Sequence, residues 1–587
     1  MIWGLEISAV MNDLKEKIST SESMSDTFKQ RLVMIFLAFL AIASFVRMFD
    51  VRDVYWDDNC WLLARYARSG LTEFLDDGFS QMRRAPLGVF YYLYFGIHRL
   101  SDQPFLYWNT IALLIQMLST WMVYALVRTL LPKLMLPALV AAVAYVALPL
   151  DHTMPYVSGT NYRLGFLLAL CSCWLSLRAV LGGRPRLYLL LAVILALFNT
   201  IVLTETALPL EVVRLVMIAW VLPVTQSWVT RLRALVGYAL LFGFPHLPYV
   251  WYRLTFKPYG MYQSVYQHNL GDVFNWHSYY ELMQNVPFGL WRHLLSAPNL
   301  NPGIVMPLAL LAGVGAFLII RNLMASEGEQ ASAGHRKAAF FLLLLGLIVI
   351  LCQQGLLVFA GREFRWGPDS THGIFIQLGT SLIVSSFSLL LCSKYGNSKL
   401  QVFITRLLFP VILAAVALLG VHYNNKNLSL LINESQKQER FWMAFMERFP
   451  VLPPRATFIF DIYVDSFHDA SDLDTGYDID AWLNLLYAKN GEEGGFYRYT
   501  AMAPEEMRMR RLDFSKLRLG VSTRFGLMDL EAGKTIPIAY RDGVIYAGDE
   551  IRGLLPPVPY VEWLAPVARA ESQVVEFQYR AKIFPGN

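Results

Sequence analysis

Apolar residues in this chain come in long unbroken runs rather than in the short alternating or one-faced patterns of a soluble domain. The first runs from about Leu32 to Phe49, and later ones centre near residues 117, 141, 172, 196, 216, 242, 313, 348, 383 and 414. Runs of about 18 residues or more cross a bilayer core of roughly 30 Å as helices, so the pattern predicts a polytopic α-helical membrane protein with about 11 transmembrane helices. Pro86 to Leu100 is also apolar and aromatic, but as a helix it reaches only about 22 Å, and it is expected to lie in the interface. Past residue 424 the composition returns to that of a soluble domain. There the pattern predicts an amphipathic helix over Glu434–Phe449, a strand over Ala456–Val464 and a helix over Ile479–Lys489. Further strands are expected at Ile536–Tyr540, Val544–Tyr546 and Val574–Tyr579, giving a small α/β or α+β domain.

The basic residues orient this threading. With Pro86–Leu100 left in the interface, Lys15, Lys17, Lys29, Arg128, Lys133, Arg184, Arg186, Arg231, Arg233, Arg336, Lys337, Lys394 and Lys399 all fall on one side, which the positive-inside rule makes cytoplasmic. Residues 1–31 are then a cytoplasmic segment. Residues 32–423 form the transmembrane domain, with outer loops at 50–104, 151–163, 252–303 and 360–373, and residues 424–587 form an extracytoplasmic soluble domain. The first outer loop holds Arg52, Arg65, Arg68, Arg83 and Arg84 against this rule, beside the acidic Asp53, Asp57, Asp58, Asp76 and Asp77. No basic segment leads into a cleavable apolar core at the start, so a signal peptide is not expected.

Composition narrows the class. The 587 residues are 55% hydrophobic and 16% charged, with a mean hydropathy of +0.40. That excludes a disordered chain, a disulfide scaffold and a purely soluble enzyme. The net charge of +5 gives no nucleic-acid footprint. Five cysteines, four of them in apolar runs, show neither zinc spacing nor a disulfide framework. Cys171 and Cys173 read as buried filler.

The expected outer face gathers the polar residues. Tyr55-Trp56-Asp57-Asp58-Asn59 puts two carboxylates side by side, a pair in which one can hold a raised pKa and accept a proton near neutrality; the alternative for Asp58 is a helix N-cap. Asp151-His152 and then Arg163 follow the third run, where Arg163 can snorkel or bind a phosphate. Glu205, in Thr204-Glu205-Thr206, is costly between two apolar spans unless it meets a wet cavity or a partner such as Arg163. Gly361-Arg362-Glu363-Phe364-Arg365 suits an anionic headgroup or pyrophosphate. Loop 252–303 is crowded with aromatic and histidine residues, Tyr266, His268 and His293 among them, which suit sugar faces and equally populate membrane interfaces. His372 closes the loop after Arg365. In the tail, Asp469, Asp472, Asp474, Asp478 and Asp480 read as turn and helix-cap residues, since their spacing does not match an EF-hand.

The order of these motifs resembles the GT-C superfamily of membrane glycosyltransferases, which includes protein mannosyltransferases and lipid A aminoarabinose transferases. In that family a first span leads into a long outer loop opening with an acidic pair, here Trp56-Asp57-Asp58. A surface helix follows, introduced by a basic-x-Pro motif, here Arg84-Ala85-Pro86-Leu87-Gly88. The likeness also covers an acidic residue in the second outer loop (Asp151) and an arginine opening the next span (Arg163). Thr204-Glu205-Thr206-Ala207-Leu208-Pro209 is similar to a Lys-Glu segment of bacterial members, with Thr where Lys is usual. The match spans about the first 210 residues; Leu483–Ala488 is more loosely similar to tails of bacterial members.

The resemblance implies an inverting enzyme that moves a sugar from a polyprenyl-phosphate donor to a glycan, lipid or protein acceptor on the outer face of the plasma membrane. Asp57 would be the general base. Asp58, Asp151 and Glu205 would complete the catalytic set, with Asp151 and Glu205 orienting the acceptor or holding a divalent cation (Mg or Mn), which some members need and others do not. Arg84, Arg163, Arg362 and Arg365 would hold the donor phosphate, and His152, Tyr266, His268 and His372 would contact acceptor or sugar. Competing readings are a transporter or flippase of lipid-linked saccharides, a non-catalytic scaffold, and a polymerase or ligase using polyprenyl-diphosphate saccharides.

Overall fold

The protein is described by a computed structural model over residues 27–52, 58, 61–62, 65, 70–76, 79–80, 84–99, 103–148, 150–182, 184–203, 207–223, 225–256, 276–295, 303–328, 333–359, 373–392, 403–450, 457–462, 486, 500–502, 520–523, 526–529, 535–541 and 544–547. The helices within these residues are α1 (Thr27–Ser44), α2 (Leu71–Asp76), α3 (Ala85–Phe95), α4 (Pro104–Leu130), α5 (Leu136–Ala147), α6 (Thr160–Leu181) and α7 (Pro185–Phe198). They continue with α8 (Pro209–Val221), α9 (Trp228–Gly243), α10 (Leu247–Thr255), α11 (Trp276–Leu295), α12 (Val305–Gly328), α13 (Ala333–Phe359), α14 (Ile374–Cys392) and α15 (Phe409–Arg448). Prolines at the first turns of α3, α4, α5, α7, α8, α10 and α15 sit where a missing N–H costs nothing.

Eight stretches among the described residues are long and apolar enough to cross a bilayer: Thr27–Ser44, Pro104–Leu130, Thr160–Leu181, Pro185–Leu203, Trp228–Tyr252, Val305–Met324, Gly334–Val358 and Ile374–Leu391. They carry lipid-exposed side chains such as Ile35, Leu190, Leu240 and Leu311, and make this a polytopic helical membrane protein. The three other expected spans take different forms. The run near 141 is α5, 12 residues long, about 18 Å and too short to cross unaided. Every residue of α5 is buried, in the middle of the bundle against α4, α12, α14 and α15. The run near 216 is the 13-residue α8. The run near 414 is the first half of α15.

Small residues set the closest crossings. A Cβ built on Gly346 of α13 would lie 2.6 Å from the Gly379 carbonyl of α14, and one on Gly379 would lie 2.7 Å from the Gly346 carbonyl. Only glycine lets the two backbones approach so closely.

α15 runs 40 residues without a break, about 60 Å. The expected span near 414 and the expected separate helix Glu434–Phe449 are therefore one element, and the domain boundary at residue 424 falls inside it. Beyond the apolar part, Leu431, Glu434, Gln438, Phe441 and Phe445 form one buried face, with the three- and four-residue spacing of helix packing. Phe441 meets Tyr540 edge-on at 5.2 Å, docking the helix on a four-stranded sheet. Its strands are β1 (Thr457–Ile462), β2 (Thr500–Met502), β5 (Thr535–Arg541) and β6 (Val544–Ala547), in the order β2-β1-β5-β6. β1 is parallel to β2 and β5, while β6 is antiparallel to β5. A separate antiparallel pair joins β3 (Gly520–Thr523) to β4 (Gly526–Asp529). The expected strands at 456–464, 536–540 and 544–546 are thus present. The expected strand at 574–579, the tail aspartates and the helix at 479–489, apart from Leu486, lie outside the described residues.

Pro86–Leu100 is the 11-residue α3 followed by one tight turn, Gly96–Arg99. At about 16 Å, α3 does not reach across a membrane.

Candidate functional site

One end of the bundle collects polar side chains from segments far apart in the chain. The organising residue is Asp58. Its carboxylate is fully buried and accepts the backbone N–H of Val157 at 2.7 Å and of Ser158 at 2.6 Å. Two consecutive amides of the 151–160 loop therefore hold a carboxylate from the first loop, 99 and 100 residues earlier. Charge-assisted bonds of this kind are short and strong. α3 fastens the same loop from another side. Tyr91 donates to the Ser158 carbonyl at 2.8 Å, and Tyr94 exchanges a hydrogen bond with Thr160 at 3.1 Å. Burial pushes the Tyr94 phenol well above its usual range against the opposing effect of the Thr160 bond, so it stays protonated. Trp61, Phe74, Phe79 and Tyr91 pack ring on ring beneath this junction, Trp61 and Phe79 stacked at 4.1 Å. Gly88 has Leu75 and Phe79 where a Cβ would go.

The second loop is also braced internally. Asp151 Oδ1 accepts from the N–H and hydroxyl of Thr153, at 2.9 and 2.6 Å, a tight turn of the aspartate type. Its Oδ2 pairs with Arg163 Nε at 3.0 Å. Arg163 is 2% exposed, and its two terminal nitrogens reach the Thr153 carbonyl and hydroxyl and the Tyr156 carbonyl. Its fork of donors is turned inward onto its own loop. Of the residues expected to bind phosphate, Arg163 is thus occupied in bracing that loop, and Arg84 stands half-buried at the residue preceding α3. Arg362 and Arg365 lie outside the described residues, as do Asp57, Glu205, Tyr266, His268 and His372.

His152 does join other groups. The phenol of Tyr423 on α15 lies 2.8 Å from His293 Nδ1 on α11 and 3.5 Å from His152 Nε2. The two imidazoles stand edge to face with centroids 5.4 Å apart. Asn427 of α15 donates to the His152 carbonyl at 3.1 Å. Burial lowers the proton affinity of His293, and the positive charges of Arg292 and Lys426 lower it further, so its ring is neutral at pH 7. The composition of loop 252–303 points to aromatic and histidine crowding, but gives no reason to choose His293 over its neighbours.

Of the two carboxylates expected to orient the acceptor or hold a divalent cation, Asp151 is among the described residues and Glu205 is not. Asp58 has both oxygens on amides and Asp151 has both on donors. Among the described residues no group of three or more His, Cys, Asp or Glu side chains is placed to hold a metal ion.

A polar cluster that sequence reasoning missed lies deeper. Arg214 of α8 is fully buried and pairs through two parallel 2.8 Å bonds with Glu211, one turn earlier. It also reaches the Ser172 carbonyl at 3.0 Å and the Ser176 hydroxyl at 2.6 Å, both on α6. Its guanidinium sits 4.1 Å over the Phe242 ring. Ser172 is about 18 Å along α6 from Thr160 at the loop end, so the pair sits near the middle of the bundle. An acidic and a basic residue three apart inside an apolar run is the signal that could have found it. No protein-family model, curated protein or solved structure matches this chain.

Proposed function

We propose that the protein is an inverting, GT-C-type glycosyltransferase that transfers a sugar from a polyprenyl-phosphate carrier to an acceptor on the extracytoplasmic face. The observation that carries this reading is the Asp58 clamp on Val157 and Ser158. It brings Asp58 of the first loop against the second loop at the end of the bundle where α15 leaves the apolar core. Asp57 is the neighbouring residue in the chain, and this reading assigns it the base's role.

The roles divide on this basis. With both oxygens on amides, Asp58 is a positioning residue, and Asp57 is the general base. The acceptor oxygen attacks the sugar C1 from the side opposite the phosphate, Asp57 takes the hydroxyl proton, and the C1–O bond to phosphate breaks with its electron pair leaving on the lipid phosphate. Asp151 and Arg163 hold the second loop in shape, and Glu205 and His152 orient the acceptor. Arg362 and Arg365 meet the donor phosphate. The N-terminus is cytoplasmic, and the strand-bearing C-terminal region faces outward in the plasma membrane.

A transfer assay tests this reading. Purified protein receives radiolabelled polyprenyl-phosphate sugars, with water and a cell-envelope extract as acceptors. Label leaves the lipid with wild type and not with Asp57→Asn. Equal transfer by the variant overturns the base assignment, and no transfer by folded wild type overturns the reading itself. One observation favours the alternative of a transporter or flippase: the Glu211–Arg214 pair inside the bundle, where ion and substrate paths are built. Counterflow of a lipid-linked saccharide in proteoliposomes, abolished by Glu211→Gln, would decide for it.

A further inference from the structure

α7 and α9 belong to the two least buried of the eight spans, so the edge they form is the part of the bundle most open to lipid. Both start at the end of the bundle away from the Asp58 clamp. The Arg214–Ser176 bond sets the levels: beyond it α6 runs about 8 Å further to Leu181, and α8 about 11 Å further to Val221. α7 begins just after α6 ends, at Arg184, Pro185 and Arg186, and α9 begins just after α8, with Trp228, Arg231 and Arg233 in its first turns. Arg231 is half-buried and donates to the Ala219 carbonyl at 2.9 Å, which fastens the start of α9 to the end of α8. Arg184, Arg186 and Arg233 are exposed, and their side chains make no hydrogen bond or ion pair among the described residues.

The sequence around them supplies no counter-charge. From Arg178 to Thr204, and again from Val212 to Gly271, there is no Asp or Glu, so neither helix has an acidic residue in its first turn. Every basic residue of this edge is an arginine, since no lysine occurs between Lys133 and Lys257. Orientation in the membrane asks only for positive charge, which lysine provides equally. The guanidinium adds a planar fork of donors that matches the oxygens of a phosphate. Trp228, largely exposed at the start of α9, stands at the headgroup level that tryptophan favours.

We infer that Arg184, Arg186 and Arg233 bind the phosphates of anionic phospholipid headgroups at this edge, acting as forked donors and not only as positive charges. An anionic leaflet supplies the counter-charge that the chain itself omits. The surface uses none of the groups that carry the transferase chemistry, and it would serve a transporter equally. Its test is a binding measurement, so its failure and a failure of the transfer assay are separate results.

The full-length protein in maltoside detergent, which carries no phosphate, is titrated with phosphatidylglycerol and, separately, with phosphatidylcholine of the same chains. Native mass spectrometry counts bound lipid, and thermal midpoints report stabilisation. Wild type is compared with two triple variants, Arg184→Gln/Arg186→Gln/Arg233→Gln and Arg184→Lys/Arg186→Lys/Arg233→Lys. The lysine variant keeps the charge that orients the chain, so it remains a fair comparison even where loss of charge disturbs the glutamine variant.

Wild type is expected to bind phosphatidylglycerol about tenfold more tightly than phosphatidylcholine. Binding of phosphatidylglycerol should fall about tenfold or more in the glutamine variant and about threefold or more in the lysine variant. Equal binding of the two lipids by wild type overturns the inference, as does either variant binding phosphatidylglycerol as tightly as wild type. If the glutamine variant does not fold, the lysine variant decides alone under the same criteria.

Discussion

Two buried arginines, each paired with a carboxylate, do different work in this molecule. Arg163 sits in the loop end, and besides Asp151 its partners are the carbonyls of Thr153 and Tyr156 and the Thr153 hydroxyl, all within its own loop. Arg214 sits inside the bundle, and its partners are a carboxylate on its own helix and two oxygens on α6. The first pair gives shape to a stretch of chain without regular structure, so that its amides can face Asp58. The second locks one helix to another through Ser172 and Ser176. A buried charge near a functional face is therefore not by itself a ligand site; where its donors are already spent decides.

Breaking the deeper pair should have the largest effect. Arg214→Leu leaves the Glu211 carboxylate without its cation, and the expected loss is about 3–5 kcal/mol of stability, read as a fall in the melting temperature of the detergent-solubilised protein. The double change Glu211→Leu/Arg214→Leu should recover most of that loss. If the single and double variants melted alike, the stranded carboxylate would not be the source of the loss, and the lost bonds to Ser172 and Ser176 would be.

At the loop end the expected loss is smaller but reaches function. Asp58→Asn turns an amide N–H₂ toward the N–H of Val157 or Ser158, and removes the charge both were bound to. A loss of about 2 kcal/mol follows, and under the proposed transferase reading the transfer assay is expected to fall further than stability. Retained transfer in a destabilised Asp58→Asn protein would separate the clamp from the chemistry.

The smallest effect sharpens the comparison through pH. His293 in the folded protein holds its proton less well than an ordinary imidazole, so near pH 6 the unfolded chain binds more protons than the folded one. Stability from this group is full above the ordinary imidazole pKa of about 6.5 and declines as pH falls through it toward the lower folded value. His293→Gln should flatten that decline in a plot of melting temperature against pH. An unchanged slope would exclude His293 as its source.

The bundle is legible in the sequence because lipid makes hydrophobicity a nearly sufficient signal: eight of the expected spans stand as helical stretches long and apolar enough to cross a bilayer. The strands β1, β5 and β6 are legible from β-branched and aromatic runs. α5 misleads because a short apolar helix wrapped entirely by other helices has the same composition as one facing lipid. α15 reads as two pieces because its polarity changes midway, while its backbone hydrogen bonds continue. Asp57, Asp58, Asp151 and Arg163 stand out as polar residues beside apolar runs. The partners of Asp58 do not, since backbone amides carry no residue signature. Glu211 and Arg214 are plain in the sequence, but the apolar length of the run around residue 216 dominates its pattern and hides a pair that only packing makes meaningful.

The unbroken course of α15 has a geometric consequence. From residue 424, where the apolar composition ends, to Phe441 the helix continues for 17 residues, so about 25 Å of stiff helix leads to the Phe441–Tyr540 contact. A flexible tether would let the strand-bearing region wander over a wide volume; a rod holds it at a fixed height and fixed rotation. Because Leu428, Leu431 and Ile432 of the same helix pack with Met154 and Tyr156 of the loop end, the strand-bearing region is held at a set distance from it.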